Sequence, residues 1–200
     1  LPTSKFQIAV LISGGGTTLK NLITHIDQGK LPVEIALVVS SNPNAAGIAF
    51  ADKYNIPVRT ATKTKSLTDA QYCEQVFGPI RETGVDLVVM GGFLKHVLIP
   101  DDFTERVINI HPSLIPAFAG QGFYGLRVHQ AVIAKGCRVS GCTVHYVDNE
   151  FDHGPIIAQR AVDVSANDSA ETLQKKVFDV ECELLPDVIR QIAEASAQVG

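Results

Sequence analysis

No apolar run in this 200-residue chain approaches the roughly twenty residues needed to cross a bilayer, so the sequence offers no candidate membrane helix. Charge of one sign is equally scarce. Lys and Arg number 17 against 21 Asp and Glu, a net charge of −4, and Lys63, Lys65, Arg127, Lys135, Arg138, Lys175 and Lys176 are dispersed rather than clustered. A polyanion-binding surface normally carries a basic stripe, so nucleic acid is not an expected partner. One small phosphorylated ligand remains compatible, because backbone amides can hold a single phosphate locally. Cysteine is limited to Cys73, Cys137, Cys142 and Cys182, with no Cys-x-x-Cys pair. No histidine pair has ligand spacing either, so reduced thiols and no metal are expected. The chain opens almost directly on Phe6–Ile12, without the basic start, apolar core and cleavage site of a secretory leader. A cytoplasmic address is the default expectation.

What is present reads as one ordinary globular domain spanning 1–200. Hydrophobic residues make up 46% and charged residues 19%, the balance of a soluble protein with a single large core. Apolar runs at 6–12, 33–39, 85–90 and 107–110 have the look of buried strands, with helix-like stretches at 18–28, 45–54 and 68–82 among them. Such alternation predicts an α/β fold: a three-layer, doubly wound and mostly parallel sheet with ligands at the carboxyl ends of its strands. Residues 139–147 and 156–164 form two further strand-like segments around the turn-rich link 148–155, which predicts a C-terminal antiparallel pair. A long terminal helix is expected over 169–193. Asp168 and Glu171 offer a capping-box variant at its start, and Pro186 is expected to kink or divide it.

The most informative stretch is Asn109-Ile110-His111-Pro112-Ser113-Leu114-Ile115-Pro116, taken together with Phe151-Asp152-His153-Gly154-Pro155. Strand side chains alternate in direction, so Asn109 and His111 share a face at a strand's end while Ile110 turns into packing. An amide, an imidazole and a carboxylate are what a site needs to hold a developing oxyanion and move protons near neutrality. The bland alternative is a strand exit, since Asn and Pro are common loop formers and Asp-x-Gly-Pro is a common turn.

A second motif follows the first strand: Gly14, Gly15, Gly16, Thr17 and Thr18 run straight into a helix. Glycines let the backbone approach a ligand, and free amides at a helix start attract an anion. The spacing matches neither the dinucleotide fingerprint nor the P-loop, and a tight turn without ligand is the competing interpretation. Gly120-Gln121-Gly122-Phe123-Tyr124-Gly125 is long enough to act as a mobile gate. His25, His129 and His145 carry little weight, His25 as helix surface, His129 as a loop-to-helix position that could face the site, and His145 as a strand residue.

These motifs, with Gly91-Gly92-Phe93-Leu94-Lys95 and Gly141-Cys142-Thr143-Val144-His145-Tyr146-Val147 between them, closely resemble the phosphoribosylglycinamide formyltransferases, a folate-dependent family. The likeness runs from Ile8 to about Pro186. It implies formyl transfer from 10-formyltetrahydrofolate, the co-substrate, to the amine of glycinamide ribonucleotide, a step of purine synthesis. Asn109 would donate to the oxyanion, His111 would stabilise it or act as acid, and Asp152 would orient His111 and relay a proton through water. The same likeness implies that Gly14 to Thr18, Pro112 and Glu181 contact the nucleotide. Met90, Leu94, Lys95, His96 and Val97 would lie beside the folate pteridine, with Val147, Asp148 and Phe151 in the loop over it. The chain departs from the family in its Gly14-Gly15-Gly16-Thr17-Thr18 loop, where Gly-Asn-Gly-Ser-Asn is usual, and at Lys95 and His96, where arginine and an aliphatic residue are common. Met90 and Val147 could equally be plain core, and Glu181 a solvated helix residue.

Three rivals stay open. A 10-formyltetrahydrofolate hydrolase or a methionyl-tRNA formyltransferase would keep the same three polar residues, and a catalytically silent folate- or nucleotide-binding module would keep the fold. The first two normally carry an additional domain that is not in this sequence, and the glycine loop favours a small phosphorylated substrate.

Overall fold

The computed structural model describes residues 5–199, with seven strands and five helices. Strand β1 (Phe6–Ile12) leads through α1 (Thr17–Asp27) to β2 (Val33–Ser40), then through α2 (Ile48–Lys53) to β3 (Val58–Thr60), and through α3 (Asp69–Thr83) to β4 (Leu87–Met90). β5 (Val107–His111), α4 (Leu126–Lys135), β6 (Val139–Tyr146), β7 (Ile156–Asp163) and α5 (Ala170–Val199) complete the chain. The sheet order is β3-β2-β1-β4-β5-β6-β7. β1 pairs in parallel with β2 and β4, β2 with β3, and β6 runs antiparallel to β7. The expected α/β sheet with its C-terminal antiparallel pair is therefore present. Two compact units divide the chain, one running through Ile108 and resuming at Ile189, the other comprising Asn109–Val188.

In the first unit the winding reverses at β1. Strands β2 and β3 are added on one side of it and β4 on the other, so the right-handed crossover rule puts α1 and α2 on one face and α3 on the opposite one. Residues 8–12 of β1 are completely buried, as a central parallel strand requires. Leu19, Leu22 and Ile23 form the buried stripe of α1, and Tyr72, Val76, Phe77 and Ile80 that of α3. Thr68 closes a capping box with Gln71 at the start of α3. The crevice outside the ends of β1 and β4 is the topological switch point, where doubly wound sheets bind ligands. Its two loops are tied together, for the Leu94 amide donates to Ser13 Oγ at 2.8 Å.

In the second unit every residue of β6 from Ser140 to His145 is buried, whereas β7 alternates between half-buried and exposed. A register shift falls between Val144 and His145, where His145 pairs with Ile156 after Val144 has paired with Ala158. Thr143 Oγ1 donates to the Ser113 carbonyl at 2.7 Å and accepts from the Ile115 amide at 3.1 Å, pinning the chain that leaves β5.

Several expected details change. Helix α2 covers only Ile48–Lys53, β3 and a 3₁₀ turn at Asp101–Phe103 have no counterpart among the expected elements, and His129, expected where a loop passes into a helix, lies inside α4. The α5 cap lies one residue later than expected: Ser169 Oγ accepts the Thr172 amide at 3.2 Å, and Thr172 Oγ1 accepts the Ser169 amide at 2.9 Å. Asp168 instead holds Lys176 at 2.6 Å. Pro186 does not divide α5. Leu184, Leu185, Val188 and Ile189 are buried on either side of it, and that packing outweighs the roughly 3 kcal/mol a mid-helix proline costs.

Candidate active site

The end of β5 and the loop between β6 and β7 bring Asn109, His111 and Asp152 into one cluster within the second unit. His111 is 4% exposed and Asn109 half-buried on the same strand, two residues apart and so on one face. Ile110 is half-buried rather than part of the core. His111 Nε2 donates to the Phe118 carbonyl at 2.9 Å, and Nδ1 lies 3.4 Å from Asp152 Oδ2. That same carboxylate oxygen accepts the Gly120 amide at 2.9 Å. The segment 118–120 thus holds both the imidazole and the carboxylate, a tie that no spacing in the sequence announces.

Asp152 sits at φ 52°, in the left-handed region that Asp and Asn tolerate better than most residues. The turn around it is dense. Asp148 Oδ1 accepts the Glu150 amide at 2.8 Å, its Oδ2 accepts from His153 Nδ1 at 2.7 Å, and a Cβ on Gly154 would run into the Tyr146 carbonyl. The His153 contact and the Glu150 amide hold the Asp148 carboxyl below its usual range against the opposing effect of desolvation, and Asp148 in turn raises His153.

Two histidines given little weight in the sequence lie close to this cluster. His145, 1% exposed, accepts from Asn109 Nδ2 at Nε2 over 3.2 Å and donates from Nδ1 to the Tyr146 carbonyl at 2.7 Å. Asp152 Oδ1 is 3.8 Å from the same Nε2. Burial holds His145 below the ordinary histidine value. His129, also 1% exposed, is pushed down to about 4 by burial and by the nearness of His111, and its Nδ1 finds no hydrogen-bond partner among the described residues. His25 is half-buried on α1 and faces the Asn21 carbonyl.

The remaining candidates in this unit divide by exposure. Phe151 is 49% exposed, Val147, Asp148 and Pro112 are half-buried, and Glu181 lies in α5 with desolvation pushing its carboxyl up to about 8. Glu181 is therefore no ordinary solvated helix residue.

In the first unit the glycine loop separates into two kinds of position. Gly16 is buried at φ 68°, and a Cβ there would come within 2.5 Å of Gly47 Cα. Its glycine is demanded by packing. Gly14 and Gly15 are exposed and a Cβ on either would meet nothing within 4 Å, so open space faces them. Thr17 and Thr18 open α1, whose N-terminus has no side-chain cap among the described residues. Such orphan amides suit an anion. Met90, the last residue of β4, and Val97 beyond it are buried, Leu94 is 62% exposed, Lys95 is exposed, and half-buried His96 lends its carbonyl to Lys63 at 3.1 Å. Among the described residues no group of three or more His, Cys, Asp or Glu could hold a metal ion, and no helix is long and apolar enough to cross a membrane.

An amide N–H, an imidazole and a carboxylate in one largely desolvated cluster can stabilise a tetrahedral oxyanion and transfer protons, the requirements of acyl transfer. The chain's relatives carry out chemistry of that kind. A chloroplastic phosphoribosylglycinamide formyltransferase of Arabidopsis thaliana is 38% identical over 94% of this chain and 65% of its own length. The corresponding Haemophilus influenzae enzyme is 34% identical over 94% of this chain and 87% of its own. The chain thus spans less than two thirds of the plant relatives it matches. Glycinamide ribonucleotide transformylase 1 from Symbiobacterium toebii superposes with a TM-score of 0.87 at 33% identity, covering 96% of this chain and 89% of that one. With the formyl transferase family model matching residues 6–189 as well, sequence and fold agree that the chain belongs to the formyl transferase family.

Proposed function

We propose that this protein transfers the formyl group of 10-formyltetrahydrofolate to the primary amine of glycinamide ribonucleotide, a step of purine biosynthesis. The observation that carries the proposal is the Asn109, His111 and Asp152 cluster in a chain whose relatives bear that activity in their names.

In this mechanism the amine nitrogen attacks the formyl carbon, and the carbonyl electron pair moves onto oxygen. An Asn109 amide hydrogen stabilises that charge. The attacking nitrogen gives up a proton to Asp152, directly or through water. Collapse of the tetrahedral species breaks the bond to the folate nitrogen, which leaves with a proton. His111 is suited to supply it from Nδ1, the ring nitrogen that faces Asp152, because Nε2 is committed to the Phe118 carbonyl. The acid part of the expected His111 role is therefore favoured over direct oxyanion binding. Asp152 then returns the proton to His111 and closes the cycle.

Gly14, Gly15, Thr17 and Thr18 are proposed to take the nucleotide phosphate, with Pro112 and Glu181 as further contacts to that substrate, while Gly16 acts through packing. Leu94 and Phe151 each expose apolar surface, and the family resemblance is the ground on which each is proposed as a folate contact. Lys95, His96, Val147 and Asp148 are proposed as the folate's polar and half-buried neighbours, and buried Met90 and Val97 as support beneath their segment. Neither a metal nor nucleic acid has a part in this reaction. Cys73, Cys137, Cys142 and Cys182 are free thiols, which suits a reducing compartment such as the cytoplasm.

The test is an initial-rate assay with both substrates on the wild type and on His111→Ala. Transfer by the wild type, with a loss of at least about a hundredfold in the variant, supports the proposal. Formyl release to water alone would make the protein a hydrolase, and substrate binding without turnover would make it a silent module.

A further inference from the structure

Asn109 can serve an oxyanion only if its amide is the right way round, since a half-turn of the group about its last bond exchanges a donor for an acceptor. The surroundings of His145 decide that orientation. Its Nδ1 faces the Tyr146 carbonyl at 2.7 Å, and a carbonyl only accepts, so Nδ1 carries the proton. In the neutral ring Nε2 is then a bare acceptor, and the Asn109 group 3.2 Å away must be its NH2. The opposite tautomer would leave the buried Tyr146 contact without a donor. Its Nε2 proton could still meet a flipped Asn109 oxygen but would find Asp152 Oδ1 only at 3.8 Å, too far for a hydrogen bond, so the loss at Tyr146 would go uncompensated.

The backbone prepares this arrangement. The register shift between Val144 and His145 interrupts the β6–β7 ladder where His145 is aimed, and β-bulges are a common device for re-aiming one side chain. The ring is 1% exposed, so water does not compete for either nitrogen.

We infer that His145 is a positioning residue that locks the Asn109 carboxamide with one N–H on His145 Nε2, leaving the second N–H to the oxygen of the transferred group. The inference rests on the proposed formyl transfer for its kinetic consequence but not for its geometry. Neutral His145 is part of the device: a second ring proton would turn the Asn109 carbonyl toward Nε2 and swing the NH2 away. The charged or titratable groups that bear on the ring are Asp152, His111 and Asp148, and desolvation opposes the charged ring most strongly.

Two substitutions separate positioning from bulk packing. Glutamine places an amide oxygen near the site of Nε2 and can still accept from Asn109. Asparagine reaches only the site of Nδ1 and leaves Asn109 free to turn. His145→Gln should therefore retain kcat within about fivefold of wild type. His145→Asn should lose about 10- to 100-fold in kcat, part of what removing an oxyanion donor costs, with both KM values within about threefold. Equal losses in the two variants, or a His145→Asn enzyme as fast as wild type, would overturn the inference. A ring-nitrogen NMR spectrum of histidine-labelled wild type, with the His145 signals assigned by their absence in His145→Gln, tests the geometry without any assay. A protonated Nδ1 and bare Nε2 are expected near pH 7, and a protonated Nε2 refutes the lock whether or not formyl transfer is observed. A wild type that holds this tautomer yet fails to transfer formyl would overturn the assigned activity and leave the lock standing.

Discussion

Asp152→Asn is the sharpest perturbation because the structure lets it remove a charge and little else. Asparagine is comfortable at φ 52°. Its oxygen can take the place of Oδ2, accepting the Gly120 amide over 2.9 Å and facing His111 Nδ1 over 3.4 Å. Its NH2 then replaces Oδ1 beside the bare Nε2 of His145, where the carboxylate stands at 3.8 Å. Each loop contact survives in kind, so the unfolding free energy should change by less than about 0.5 kcal/mol, as for a substitution that disturbs no packing. What disappears is the proton acceptor and the negative charge opposite His111. Loss of a general base costs about 10²–10⁴ in rate, equivalent to about 3–5 kcal/mol of barrier. The expected result is a kcat lowered by at least about a hundredfold with near-native KM and melting temperature, measured by initial rates with both substrates and by thermal denaturation. A variant within about threefold of wild-type turnover would show that Asp152 is only a turn residue, and the proton path assigned to it would be wrong.

Other perturbations probe the supporting structure. Gly16→Ala must fit a Cβ 2.5 Å from Gly47 Cα at positive φ and should cost about 2–4 kcal/mol in denaturant unfolding, whereas Gly14→Ala should leave stability unchanged and raise KM for the phosphorylated substrate. Thr143→Val strips the Ser113 carbonyl and the Ile115 amide of their shared hydroxyl and should destabilise by about 2–4 kcal/mol, read from the denaturation midpoint. For Glu181 the folded carboxyl titrates at about 8, above its unfolded value near 4.5, so the folded state holds a proton the unfolded chain has lost. That contribution to stability falls as pH rises from about 4.5 to about 8, and Glu181→Gln should raise the melting temperature at pH 8.5 while changing little at pH 5.

The legible part of the fold was the part governed by long apolar periodicity. β1 and β2, whose burial is nearly continuous, and α3, with its buried stripe and Thr68 cap, can be recognised from the chain alone. The elements missed, or only hinted at as α4 was by His129, are those in which tertiary context outweighs a weak local signal. β3 is three residues long and exists because Val58, Arg59 and Thr60 add to the end of β2. α4 buries only Val128, His129 and Val132, a short stripe beside a glycine-rich loop. At Pro186 a local rule pointed to a break, but burial of the leucines and valine around it keeps the helix continuous.

The candidate site follows the same logic one level up. The alternation of β5 puts Asn109 and His111 on one face, and Asp152 stands out because a carboxylate in a turn is conspicuous. What holds these groups is written in atoms that carry no side-chain code: the Phe118 carbonyl on His111, the Gly120 amide on Asp152 and the Tyr146 carbonyl on His145. Any residue offers a carbonyl, and any but proline an amide, so no motif search finds them. Thr143 and His145, by contrast, do have side-chain chemistry, and both belong to a strand segment buried on both faces. A hydroxyl and an imidazole placed there must find partners or pay full desolvation, which is a signal present in the sequence once β6 is recognised as a central strand. On that argument the two polar residues of Thr143-Val144-His145 are as much a part of the site as the triplet that first drew attention to it, one fixing where the chain goes after His111 and the other fixing which way Asn109 faces.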